Sequence, residues 1–477
     1  MLRRRNNFQE RYNRFLQELR DEIVSGELAP GEYILPEGAL GEKYGMSRMS
    51  IRKALSELVE DGMIEKIPGK GNRITTPAGE QPPILLKLAW FSNSYEIGIV
   101  RRILTAFEAK YPNVKVELIL LPEDEYTDSV IRMIEQEQSP DVFMLSDQHV
   151  REWIDSGKTD YVTGYVPEHL DPQETSYPQI FEIFMNGERM LAAPFIFSPV
   201  VIVYNRSIFK QNGINEEPQL KDWSDLLDFA KRCTRDINED GVVEQYGFCF
   251  SSSMNRWPVF LLQNGGELMA NGRSTLSRQE NIEALGFCTS LMYEHKVSPI
   301  YSHGSSHLAE SLFVKERVAM IMTTYYFMNE FRDQSIEWDV LPVPKQQEQA
   351  TLLLGGGLAI NSVSEHMKLS QRLVEFMTGT EAQTLIKRYG CTIPVLRSVA
   401  ENDDLLDPAI HPAHYGRFLD VLPYSRSLKS LQLSQSETTR LFDELNLLWA
   451  GMEKPEEACL RIEKKLNELR KKKQPLA

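Results

Sequence analysis

The chain has 477 residues, and none of its apolar runs approaches the roughly 20 residues needed to cross a bilayer as a helix. An integral membrane protein is therefore set aside. Cysteine is scarce: Cys233, Cys249, Cys288, Cys391 and Cys459 are odd in number and far apart, with no Cys-x-x-Cys pair and no Cys/His spacing suited to zinc. A disulfide framework is excluded, and reduced, mostly buried thiols are the expectation. There is no G-x-S-x-G elbow, no Walker loop and no H-E-x-x-H motif, which favours binding over catalysis and predicts a non-enzyme without a cofactor. No long-period repeat or low-complexity tract stands out. The start, Met1-Leu2-Arg3-Arg4-Arg5-Asn6-Asn7, lacks the apolar core and cleavage site of a secretory signal, so a cytoplasmic location with no membrane partner is expected.

The charge is unevenly placed. Of 53 basic and 68 acidic residues, thirteen of each fall within positions 1–80, so the whole net charge of −15 lies downstream. An acidic body is repelled by nucleic acid, which assigns it another task, that of a sensor. A chain this long also exceeds one ordinary core and predicts two to four folded units.

Within the balanced N-terminal part, Ser47-Arg48-Met49-Ser50-Ile51-Arg52-Lys53-Ala54-Leu55 is the densest segment. Read as a helix, it sends Ile51, Ala54, Leu55, Leu58 and Val59 to a core and leaves Arg48, Ser50, Arg52 and Lys53 on a free cationic side. Ser47 is placed to cap its N-terminus, and Gly45-Met46 breaks it from a helix containing Leu40 and Tyr44. Tyr12, Phe15, Leu16, Leu19 and Ile23 mark an earlier amphipathic helix. Met63–Ile67 and Arg73–Thr76 read as strands around the turn Pro68-Gly69-Lys70-Gly71-Asn72. A helix whose first turn carries arginines fits the DNA major groove, where arginine pairs with guanine and Lys or Ser holds phosphate.

These residues resemble the GntR family of bacterial transcription regulators. The resemblance is carried by Ile23-Val24-Ser25-Gly26-Glu27-Leu28-Ala29-Pro30-Gly31, Leu35-Pro36, Ser47-Arg48 through Leu58, Gly62 and Gly69-Lys70-Gly71. It implies an α+β winged helix-turn-helix over residues 8–77, a double-stranded operator as partner, and contacts from Ser47, Arg48, Met49, Ser50, Arg52, Lys53, Lys70, Gly71 and Asn72. One departure is that the family's Ser-Glu-Arg after Leu-Pro is replaced by Glu37-Gly38-Ala39. The arginine contact supplied there is missing, which shifts readout onto Arg48, Arg52 and Lys70.

A proline-bearing linker over 78–84 leads into alternating segments: strand Leu85–Phe91, helix Ile99–Tyr111, strand Val114–Leu120, a helix around Val130, Ile131 and Ile134, and strand Asp141–Leu145. That alternation predicts an α/β parallel sheet, with a ligand crevice at the carboxyl ends of its strands near Ser92, Asn93 and Ser94 and near Ser146, Asp147 and Gln148. Pro194–Tyr204, Tyr246–Phe250, Arg317–Met322 and Leu352–Ile360, the last interrupted by Gly355-Gly356-Gly357, predict a second lobe. Asp236-Ile237-Asn238-Glu239-Asp240-Gly241-Val242-Val243-Glu244 has the oxygen-ligand spacing of a calcium loop but Gly247 at the twelfth position, so Asp236, Asn238, Asp240 and Glu244 form a weak metal candidate beside an Asx-rich turn.

Over residues 85–477 the chain resembles the family 1 extracellular solute-binding proteins of sugar importers. The matching pieces are Phe107 through Val116, Ser139-Pro140-Asp141-Val142, Pro194 through Asn205, Gly265-Gly266, Ala319-Met320-Ile321, Pro342-Val343-Pro344 and Gly355-Gly356-Gly357. The resemblance implies a two-lobed periplasmic-binding-protein-like domain closing on a mono- or oligosaccharide. By matching positions it places Trp90, Tyr204, Trp257, Tyr325 and Tyr326 near the cleft, with Ser92, Asn93, Asp147, Gln148, Gly356 and Gly357 as polar contacts. Together the halves predict a homodimeric, sugar-responsive regulator. Two alternatives stay open here: a GntR-type regulator with a pyridoxal-phosphate-binding aminotransferase-like domain, and a transport-type solute-binding protein.

Overall fold

The computed structural model describes residues 2–24, 26–75, 83–215, 217–300, 308–331 and 336–473. The head begins with α1 (Leu2–Val24), whose Tyr12, Phe15, Leu16, Leu19 and Ile23 recur at three and four residue steps and are all buried. Leu40 from α2 (Glu37–Tyr44) and Ile51, Ala54, Leu55 and Leu58 from α3 (Arg48–Glu60) close against that stripe. Val59 was expected with them but is 38% exposed, because one step beyond Leu58 turns it about 100° around the helix. Gly45 stops α2 in the left-handed region at φ 61°, and Ser47 Oγ caps α3 by accepting from the Ser50 N–H at 3.2 Å.

The wing is the antiparallel pair β1 (Ile64–Ile67) and β2 (Gly71–Ile74), with Ile64 opposite Ile74 and Ile67 opposite Gly71. That register starts the second strand two residues earlier than the sequence pattern placed it; Thr76 lies outside the described residues, as does 76–82 of the expected linker region. The backbone of Ile34 donates to Asn72 at 2.9 Å and that of Ile74 to Glu32 at 2.8 Å, tying the wing to the segment before α2.

Beyond the head, β3 (Ile84–Phe91), α4 (Ile97–Lys110), β4 (Val114–Leu121), α5 (Tyr126–Glu135) and β5 (Val142–Ser146) alternate as predicted, with β3 parallel to both β4 and β5. The sheet continues through β6 (Ala193–Asn205), β7 (Tyr246–Phe250), β8 (Val318–Thr324), β9 (Trp338–Leu341) and β10 (Thr351–Asn361). Its main path is β7-β8-β6-β10-β5-β3-β4, with β9 also on β6. It is mixed where a parallel sheet was expected: β6 runs antiparallel to β8, β9 and β10, and β10 antiparallel to β5. The strand–helix alternation governs only the first lobe, whereas β6 and β10 pass between the lobes, giving a two-lobed α/β body behind a winged helix-turn-helix. Every residue of β6 and of β10 is buried, which explains their largely apolar sequences.

Gly355-Gly356-Gly357 does not interrupt β10. The strand carries a register shift between Gly356 and Gly357 and is crossed closely by neighbours: a Cβ on Gly356 would lie 2.5 Å from Met144 Cε, and one on Gly357 2.8 Å from Phe184. Among the described residues no helix is long and apolar enough to cross a membrane. All five cysteines are buried.

In the Asp236 loop, carboxylate oxygens of Asp236, Asp240 and Glu244 lie within 4.8 Å of one another. The same side chains accept from the loop backbone: Asp236 from Gly241 at 2.7 Å and Glu244 from Ile237 at 2.7 Å. The Asn238 amide donates to Asp240 at 3.1 Å. Gly247 is fixed as glycine by packing, since a Cβ would fall 1.9 Å from the Ala230 carbonyl oxygen. Replacing it with alanine is expected to lower unfolding stability by about 2 kcal/mol or more. Gly98→Ala on α4, where a Cβ meets nothing within 4 Å, should instead stabilise by up to about 1 kcal/mol. Denaturant unfolding of both variants checks the pair, and equal effects would contradict the packing.

Candidate functional site

On the head, Ser47, Arg48, Met49, Ser50, Arg52 and Lys53 occupy the cap and first turns of α3, and Lys70, Gly71 and Asn72 form the wing turn. Arg48, Arg52, Lys53, Lys70 and Gly71 are exposed, and Met49 is 81% exposed, an unusual setting for a large apolar side chain. Ser50 and Asn72 are half-buried. Lys53 Nζ stands 5.5 Å from the Tyr12 ring centre. The departure at Glu37-Gly38 now has a structural meaning. Glu37 holds Arg52 through Nη2 at 2.7 Å and Nε at 3.0 Å, an arrangement that keeps the Glu37 carboxyl below its ordinary range. Gly38 makes room for Arg48, whose Nη2 would be 3.1 Å from any Cβ there. Sequence reading missed Glu37 as a partner because it lies fifteen residues from Arg52 on another helix.

Between the lobes lies a cleft of about 620 Å³, within the range of small-molecule sites. The turn after β3 contributes Asn93, Ser94, Tyr95 and Glu96, and the end of β5 with α6 (Asp147–Ser156) contributes Ser146, Asp147, Gln148, His149 and Arg151. Ser253 to Arg256 after β7, Thr324, Tyr326 and Phe327 at the end of β8, and Leu354 to Gly356 on β10 complete the opposite side. A further wall comes from Leu428 and from Gln435, Thr438, Thr439 and Phe442 of α8 (Met367–Thr378 being α7 and Gln435–Glu444 α8).

Of the ligand residues expected from sequence, Asn93, Asp147, Gln148, Tyr326 and Gly356 line this cleft and six do not. Trp90 is wholly buried against Phe195, its indole N–H donating to Ser94 Oγ at 2.8 Å. Tyr204 packs on Phe209 at the far end of β6, Trp257 on Trp449, and Tyr325 on Phe418. Ser92 faces solvent beside Asn93, and Gly357 lies under Phe184 and Ala192. Strand alternation gives the reason for Trp90: its side chain projects into the sheet face, while the turn after it reaches the opening.

The cleft wall is rich in charged groups removed from water. Burial raises Glu96 and Asp147 above the usual carboxylate range, with Arg151 and Arg256 partly restraining Asp147, and burial lowers both arginines. Arg256 donates to the Asn255 carbonyl at 2.9 Å and Arg151 to Thr438 Oγ1 at 3.0 Å, and Nε of each has no protein hydrogen-bond partner among the described residues. Ser94 Oγ donates to Glu96. His149 is pushed down to about 3 by burial, so it is neutral. It stacks obliquely on Tyr126, with ring centres 4.6 Å apart, and its Nδ1 accepts from the Ser146 N–H at 3.2 Å.

Aromatic surface comes from Tyr326, Tyr95 and Phe327. The Tyr95 and Phe327 rings, one from each lobe, are 5.1 Å apart, and the Arg256 guanidinium sits 5.4 Å from the Phe327 centre. Flat apolar faces beside spare guanidinium and carboxylate groups are the chemistry that grips a polyol: C–H faces stack on rings, and hydroxyls take charge-assisted hydrogen bonds. Arg151, four residues after Asp147 and so on the same face of α6, could have been found by helical spacing. No local signal marks Gln435, Thr438 or Phe442, which reach the cleft only through the tertiary fold.

Comparison with known proteins agrees with both halves. The family model for bacterial extracellular solute-binding proteins matches residues 93–384, and that for bacterial regulatory proteins of the gntR family matches residues 11–74. The first match occupies the region where an aminotransferase-like domain would have to lie, and that alternative is set aside. The HTH-type transcriptional repressor NagR of Bacillus subtilis is 36% identical over 70 residues, 15% of this chain and 29% of the repressor. An arabinooligosaccharide-binding protein of Halalkalibacterium halodurans is 22% identical over 224 residues, 44% of this chain and 48% of that protein. The chain thus spans less than half the length of these curated relatives. Among solved structures, the substrate-binding protein Lmo0181 of Listeria monocytogenes, in complex with cycloalternan, has a TM-score of 0.68 at 21% identity, covering 81% of this chain and 99% of that one. The GacH receptor of Streptomyces glaucescens has a TM-score of 0.70 at 16% identity, covering 83% and 100%. These likenesses establish the two-lobed fold. With its family model matched over more than half its length, the chain belongs to the bacterial extracellular solute-binding protein family and carries, ahead of that domain, a DNA-binding head of the gntR family.

Proposed function

We propose that this protein is a transcription regulator that binds operator DNA through α3 and the wing and senses a mono- or oligosaccharide in the interlobe cleft. The observation that carries the reading is the cleft itself, where rings from both lobes face buried Arg151, Arg256 and Glu96 and half-buried Asp147 in the same chain as an exposed cationic helix. Curated relatives of the head are repressors, including NagR and MngR, and a relative of the body is an arabinooligosaccharide-binding protein. Two copies acting as a homodimer would present two α3 helices to half-sites one or more turns of roughly 34 Å apart. Sugar would alter operator affinity only by the difference in its affinity for the DNA-competent and incompetent arrangements.

Arg48→Ala is expected to weaken operator binding by about 1–3 kcal/mol and to relax preference at one base position. Competition footprinting reads this, and an unchanged footprint removes Arg48 from the interface. A carbohydrate panel read by thermal unfolding should contain a sugar that stabilises the protein by about 2.7 kcal/mol at a hundredfold excess over its dissociation constant. Silence across neutral mono- and oligosaccharides would defeat the sugar reading. For the sugar that binds, Asp147→Asn and Arg256→Met should each cost about 1.5–3 kcal/mol of affinity, the worth of a hydrogen bond to a charged group. Titration calorimetry measures both, and wild-type affinity in both would move the ligand elsewhere.

A further inference from the structure

The head touches the first lobe through a small contact with a buried charge at its centre. Asp21 on α1 is 1% exposed. Its Oδ1 accepts from the Gln17 amide at 2.9 Å, and its Oδ2 has no protein hydrogen-bond partner among the described residues. The same Gln17 nitrogen lies 3.2 Å from Nδ1 of His366, the residue at the N-terminal end of α7, and that Nδ1 stands 3.6 Å from Asp21 Oδ1. Around this core, Val24 packs against both the head's apolar core and that of the first lobe, and Arg372 on α7 pairs with Glu27 at 3.1 Å.

Such a joint has two chemically distinct states. With a protonated imidazole, Asp21 has a cation 3.6 Å away and the Gln17 amide, a donor only, is left to the carboxylate; with a neutral imidazole, Nδ1 can accept from that amide and the carboxylate stays buried with no cation beside it. A buried charge deprived of its partner is strongly destabilising, and here separation of the surfaces relieves it by rehydrating Asp21. Among the described residues Val24 is the side chain that packs against the apolar cores of both the head and the first lobe, and a contact held largely by polar groups does not lock two domains permanently. On the lobe side, α7 packs against β10, the strand that carries Leu354, Gly355 and Gly356 into the cleft. The element that receives the head is thus also in contact with the floor of the ligand site.

We propose that the α1–α7 contact is a breakable joint: closed through Gln17, Asp21 and His366, it fixes the DNA-binding head at one angle to the first lobe, and opened, it releases the head from that angle. The proton is then a ligand of the joint. Asp21 raises the His366 pKa above its usual value, assisted by Asp141 and Glu365 and opposed by burial. The N-terminal end of α7 also opposes the cation. Other charges at the contact are Glu22 and Glu27 on the head side and Lys368 and Arg372 on α7. A folded pKa above the free value means that the docking contribution is complete below about pH 6.5 and is lost as pH rises through the folded value. The effect of the joint on transcription rests on the regulator reading above, whereas the joint itself does not.

The test uses the full chain with spin labels at Ser56→Cys on the head and Glu117→Cys on the first lobe, both exposed positions. One narrow distance distribution is expected at about pH 6, with a second, broader population growing toward about pH 8.5. His366→Ala should show the broad population throughout. Asp21→Asn, which removes the buried charge while keeping its shape, should hold the narrow one throughout and keeps the test decisive if the alanine variant does not fold. A narrow distribution in wild type and in His366→Ala at every pH would overturn the joint, as would a broad one in wild type at about pH 6. Operator affinity measured on the same samples separates the two readings: a flat affinity while the distances change would leave the joint standing and remove its link to DNA.

Discussion

The body of this protein depends on two strands, β6 and β10, that are buried along their whole length and pass between the lobes side by side. Burial on both faces selects apolar residues at most positions, with buried Ser198, Asn205, Thr351 and Asn361 each hydrogen-bonded, which is why alternation is lost there. It also demands glycine where neighbouring side chains press on the backbone. At Gly355 and Gly356 that demand coincides with the cleft, and the bare backbone becomes its floor. Lobes, cleft and floor therefore follow from one packing constraint.

In the head the governing term is electrostatic. Its charges balance, yet cations are kept on the outer side of α3 because Ile51, Ala54, Leu55 and Leu58 are committed to the core. Glu37 occupies the Arg52 guanidinium, while Arg48 lies over Gly38. The net negative charge falls on the body, while the head's own charges balance.

Much of this was legible from residue order. Cap, break and apolar stripe around Ser47 fixed α3, and alternation of strands and helices fixed the first lobe through β5. Asp147 and Gln148 were placed at the cleft because a ligand crevice lies at the carboxyl ends of the strands. The mixed direction of the sheet was hidden, since strand direction depends on partners far along the chain. Aromatic type alone did not separate Tyr326, which lines the cleft, from its neighbour Tyr325, which packs on Phe418; adjacent side chains there face opposite ways. Arg256 and Trp257 divide in the same manner, with the charged residue at the cleft and the indole in the core.

The wall formed by α8 has a consequence for the order in which the protein becomes competent. Thr438 meets Arg151 in the cleft wall, and Glu437 is anchored by Arg470 near the end of the last helix, α9 (Pro455–Lys473). The head is complete by residue 75, whereas the cleft lacks a side until α8 has left the ribosome. Since domains fold as they emerge, the winged helix can fold well before the interlobe cleft is enclosed.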